Sequence, residues 1–111
     1  MREERMNQLA VSLSGHDKGR LYAIVSETDA MVFLADGRSR KLDHPKKKNL
    51  KHIRKVLHLP AEIVLALEAV SRDSDLVSVM RRYQTLEKEK HSMEQAGGED
   101  SFPELKIEQN E

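Results

Sequence analysis

The apolar period of this chain changes at Leu59, and that change restricts it to a β unit followed by helices. Before Leu59, apolar residues alternate or form short blocks between turn signals; after it they recur every three or four positions. Gln8–Leu13 sets Leu9, Val11 and Leu13 on one side of a strand, Arg20–Ser26 is apolar enough to be buried, and Ala30–Ala35 follows the polar link Glu27-Thr28-Asp29, which suits a tight hairpin. Asp36-Gly37 is the strongest turn signal, because glycine supplies the positive φ of a type I′ hairpin. It predicts a short fourth strand over Arg38–Asp43, closed by Pro45, which cannot donate to a ladder, and Asn49–Ile53 predicts a brief fifth. Short strands so closely spaced predict a mainly β fold, a small curved antiparallel sheet or barrel over residues 7–55, preceded by a tail at residues 1–6.

The second half reads as helices. Pro60 fits the first helical position, Glu62 lies in the first turn, and Ile63, Leu67 and Val70 keep a helical spacing. Ser71–Ser74 offers capping side chains at a break, and Leu76, Val79, Met80, Tyr83 and Leu86 then mark one stripe of a second helix. Residues 59–93 are therefore expected to form a helical hairpin appended to the β unit. Residues 94–111, with Gly97-Gly98, Pro103 and mostly acids, are expected to be a disordered acidic tail.

Several chemistries find no support. With no cysteine, neither a disulfide nor a thiolate metal site is possible, and the five histidines form no His-x-x-x-His pair, so no metal or cofactor is expected. Ser14, His16 and Asp17 are neighbours in the chain, whereas triads assemble from separated segments, and no Gly-Lys-Ser/Thr completes a phosphate loop. The chain is expected not to be an enzyme. The longest apolar stretch, Ile63–Val70, is too short for a bilayer, which predicts a soluble cytoplasmic protein without a membrane partner.

Charge carries the functional signal. The formal net charge is zero, yet Asp36–His58 holds nine lysines and arginines against two acids, while Glu87–Glu111 holds eight acids against three lysines. Clustered cations on one surface attract phosphate at any overall pI, provided the compensating acids lie elsewhere. The basic stretch contains no Phe, Tyr or Trp on which a base could stack. It therefore suits backbone and shape recognition of structured RNA, and no DNA partner is expected. In Val11–Val25, Gly15 and Gly19 bracket three polar residues between two apolar strands, with Lys18 and Arg20 alongside. Spacing alone leaves two readings open for that loop, an RNA-facing turn and an ordinary hairpin loop with solvated charges.

Val11–Val25 resembles a KOW motif, and the likeness continues through Val32–Gly37, Arg40-Lys41 and Pro45–His52. Together these stretches, within about residues 7–54, are similar to the small bacterial KOW-domain RNA-binding proteins related to ribosomal protein L14e. The resemblance implies an SH3-like β-barrel and association with RNA, ribosomal RNA above all, or with the ribosome or its proteins. The expected RNA-binding residues are Lys18, Arg20, Arg38, Arg40, Lys41, Lys46, Lys47, Lys48, Lys51, His52, Arg54 and Lys55, with Gly15, Gly19 and Gly37 shaping the loops. The alternative is a protein-interaction adaptor that uses the barrel and the C-terminal helices.

Overall fold

The computed structural model describes residues 6–97. Five strands form one antiparallel sheet: β1 (Leu9–Ser12), β2 (Leu21–Glu27), β3 (Met31–Ala35), β4 (Lys46–Asn49) and β5 (Ile53–Lys55), in the order β4-β3-β2-β1-β5. Two helices follow, α1 (Ala61–Glu68) and α2 (Asp73–Gly97). One compact unit ends at Arg81 and contains the sheet, α1 and the opening turns of α2; a second begins at Arg82 and contains the rest of α2. Of the tails expected over residues 1–6 and 94–111, residues 1–5 and 98–111 lie outside the described residues; residues 94–97, expected to be disordered, instead belong to α2, which continues through Gly97 where the sequence predicts the helical segment to end at Met93.

The sheet is mainly the one expected, with corrections at its last two strands. Asn49–Ile53, expected as the fifth, is the end of β4 and a 3-10 turn in which the Lys51 N–H is held by the Asn49 side chain, and the fifth strand starts only at Ile53. Arg38–Asp43 is a loop, and the strand that pairs with β3 is Lys46–Asn49, in the register Leu34↔Lys46, Phe33↔Lys47, Val32↔Lys48 and Met31↔Asn49. The loop wins because the Asp36 carboxylate captures it. Its Oδ1 accepts from the N–H groups of Arg38 and Arg40, both at 2.9 Å, its Oδ2 accepts from Ser39 Oγ at 3.0 Å, and the Arg40 carbonyl accepts from the N–H groups of Asp36 and Gly37. Short polar side chains compete in this way with ladder bonds, and Leu42 is the one apolar residue this segment could bury in a strand. Asp36-Gly37 opens a long bent connection, not the two-residue hairpin turn its residues suggest. Gly37 has φ +82°, and a Cβ there would stand 2.6 Å from the Asp73 carbonyl and 2.9 Å from Val77 Cγ2. Glycine is thus required twice, by backbone angle and by the approach of α2.

The sheet is open, with no ladder between β4 and β5 among the described residues, yet it is strongly curled. Its two edge strands are consecutive in the chain, joined only by a 3-10 turn, Leu50–His52. Five flat strands would hold their edges about 19 Å apart, whereas four residue steps reach roughly 14 Å even fully extended and less as a 3-10 turn. A bulge between Ile24 and Ser26 adds twist. On the inner face Ala10, Tyr22, Ile24, Val32, Leu34 and Ile53 form one buried cluster, with Leu50 against it. Leu9, Ala23 and Ala35, neighbours in register on the opposite face, are also buried. That second layer is matched by buried stripes on α1 (Ile63, Leu67) and early α2 (Leu76, Val79, Met80). Pro60 lies just before the first helical residue, at the cap.

Candidate nucleic-acid interface

Strand alternation decides which lysines face where. Residues paired across an antiparallel ladder share a face. Lys46 and Lys48, opposite Leu34 and Val32, therefore lie on the same side as the inner core, and Lys47, opposite Phe33, points the other way. An unpaired ammonium at the mouth of an apolar core would be costly. Asp17 meets both: its Oδ2 is 3.1 Å from Lys46 Nζ and its Oδ1 3.0 Å from Lys48 Nζ.

Asp17 is the buried centre of this end of the molecule. Its carboxylate also accepts from Ser12 Oγ at 2.8 Å and from Tyr22 OH at 3.0 Å, and Lys48 Nζ donates further to the Ser14 carbonyl at 3.0 Å. Asp17 is only 7% exposed. Burial alone would push its pKa up, but the hydrogen bonds from Ser12, Lys48, Lys46 and Tyr22 outweigh it and hold the carboxyl well below the usual carboxylate range. Burial, the hydrogen bond to Asp17 and its charge push the Tyr22 phenol up to about 12. Ser12 and Tyr22 are inward-facing hydroxyls in an otherwise apolar lining, and each needs a buried acceptor. Asp17 supplies both, and so clips the β1–β2 loop onto β4.

The loops around this clip carry the remaining cations. Gly15 (φ +85°) and Gly19 (φ +87°) take the positive angles that let residues 13–20 fold back, with the Gly19 N–H donating to the Ser12 carbonyl and the Arg20 N–H to Asp17. Lys18 and Arg20 are exposed on that loop, and because the start of β2 pairs with the end of β3 (Ala23↔Ala35), the β3–β4 loop with Arg38 and Arg40 leaves the sheet at the same end. The Leu13 N–H donates to the His52 carbonyl at 2.8 Å, drawing in the 3-10 turn with exposed Lys51 and His52. Lys41 lies further off, beside Leu42, whose N–H is held by Asp73 Oδ1 at 2.8 Å. Arg54 is exposed on β5 opposite Val11, and Lys55 pairs with Glu27 at 2.9 Å.

The twelve expected binding residues thus divide. Lys46, Lys48 and Lys55 are held in ion pairs, while Lys18, Arg20, Arg38, Arg40, Lys41, Lys47, Lys51, His52 and Arg54 are exposed with no side-chain ion pair among the described residues. Asp17, Ser12 and Tyr22 were not singled out as a site by sequence reasoning, although two inward hydroxyls flanking one loop acid are a legible sign of it. Among the described residues no cluster of His, Asp or Glu could hold a metal ion, and no helix is long and apolar enough to cross a membrane. No protein-family model matches the chain. A search of curated proteins likewise gives no match.

Proposed function

We propose that this chain binds structured RNA, ribosomal RNA in particular, through the exposed cations around the Asp17 clip, as a cytoplasmic KOW-type module of the SH3-like barrel class. The observation that carries the reading is the gathering at one end of the sheet of loop cations that are exposed and have no side-chain ion pair among the described residues, Lys18 and Arg20 with Arg38 and Arg40, to which the 3-10 turn adds Lys51 and His52, while Lys47 is exposed on the outer face of β4. A strongly curled five-stranded sheet whose last two strands are linked by a 3-10 turn agrees with that class, as does the resemblance of residues 7–54 to the L14e-related KOW proteins. Exposed lysines and arginines on short, cross-braced loops suit phosphate contact, and the guanidinium groups of Arg20, Arg38 and Arg40 add directional bonds to paired oxygens.

Salt dependence tests it. Five phosphate contacts give a slope of about −4 for log affinity against log salt with an RNA stem-loop, by release of condensed counter-ions. A slope near zero, or capture of the ribosome that survives nuclease unchanged, removes the RNA reading and favours a protein-docking module.

A further inference from the structure

We infer that Asp17 is a specificity-determining residue of this interface, which withholds Lys46 and Lys48 from phosphate and leaves contact to the exposed cations around them. The inference rests on the RNA-binding reading. The three side chains are a set with one acid and two cations, and both ammonium groups are within 3.1 Å of the carboxylate. Lys48 is 11% exposed and is also bonded to the Ser14 carbonyl, so turning it outward would break two bonds. It would also strip a counter-ion from a buried carboxylate, which desolvation makes costly. Lys46, at 26% exposed, is nearer to solvent but bears on the same buried charge.

The consequence is chemical selectivity. Three consecutive lysines would otherwise be a flexible polycation, attractive to any phosphate chain. With Asp17 in place only Lys47 of the three faces outward, and the other contacts come from Lys18, Arg20, Arg38 and Arg40 at positions set by braced loops. A ligand must then match the loop geometry to collect them. Asp17 acts here as a positioning residue, through the lysines and the loop, without touching RNA.

Two measurements on the full chain test this. Without RNA, amine acetylation followed by mass spectrometry should modify Lys47 several-fold faster than Lys46 or Lys48, and Asp17→Asn should narrow the gap at Lys46. With an RNA stem-loop, Lys47→Met should flatten the salt slope by about 0.9, the value for one lost contact, and Lys46→Met should leave it unchanged. Asp17→Asn, shown by its melt to be folded, should steepen the slope by up to about 2 as both lysines are released, and should tighten binding to unrelated RNA. A slope that falls as much with Lys46→Met as with Lys47→Met overturns the proposal, as does equal acetylation of Lys46 and Lys47. If Asp17→Asn does not fold, the Lys46 and Lys47 comparison decides. A parent slope near zero refutes RNA binding itself, and the acetylation rates still show whether the lysines are withheld.

Discussion

Two loops at the same end of the sheet are each organised by one aspartate, in opposite ways. Asp36 bonds to its own loop, taking the backbone N–H groups of Arg38 and Arg40 and the hydroxyl of Ser39, so both guanidinium groups stay exposed. Asp17 bonds to side chains from elsewhere, two of them lysines about thirty residues away, and so removes charge from the surface. A carboxylate that binds backbone shapes a cationic loop without neutralising it; one that binds ammonium groups fastens two segments together and lowers their pull on phosphate. Burial follows from the difference, since Asp17 is 7% exposed with its charge matched, and Asp36 is half-buried at a loop that solvent can reach.

The contrast is sharpest in stability. Asp17→Leu leaves Ser12, Tyr22, Lys46 and Lys48 without their shared acceptor, and should cost about 4 kcal/mol, a fall in Tm of roughly 15–30 °C by thermal melt. If that loss is no larger than the one caused by Asp36→Ala, the two acids are equivalent and the contrast fails. Next in size, Gly37→Val should cost about 3 kcal/mol, because it adds strain at positive φ to a clash with the start of α2. Gly19→Ala meets the same angle but nothing within 4 Å, so it should cost only about 1 kcal/mol. Equal losses at the two glycines would mean that the approach of α2 adds nothing to the angle.

Asp36→Ala should cost about 1–2 kcal/mol, since its donors can turn to water. The smallest expected effect is acid sensitivity. The folded Asp17 pKa is depressed, so its contribution is fully present above the ordinary value of 3.8 and declines as pH falls toward the folded pKa. Asp17 alone should account for a loss of about 1 kcal/mol over the first pH unit below that value, a contribution that Asp17→Asn removes, while Asp36→Asn removes a smaller one. Urea midpoints across that range measure it; parallel pH profiles for wild type and Asp17→Asn would break the assignment.

How much was legible follows from the range of each interaction. Strands at Leu9–Ser12, Leu21–Glu27 and Met31–Ala35 were readable because apolar blocks and turn residues are local signals. The fourth strand was not. A run of three lysines does not look like a strand with an inner face until Asp17 is known to stand beneath it, and Arg38–Asp43 looks extended until Asp36 is seen to hold its backbone. The basic cluster was visible as composition, but its division into paired and exposed members depends on ladder register, which shifts every side chain to the other face with a slip of one residue.

From the amino-acid order alone came the change from strands to helices at Leu59, the need for glycine at Gly15, Gly19 and Gly37, and the concentration of positive charge in Asp36–His58. Those are properties of neighbours in the chain, governed by backbone sterics, hydrophobic period and simple charge counts. Tertiary structure alone decided that Asp17 lies beneath β4, that Lys46 and Lys48 face inward while Lys47 faces out, and that Gly37 lies against α2. Each of these joins residues far apart in the chain, and a buried carboxylate chooses its partners by distance and desolvation, which no local pattern encodes.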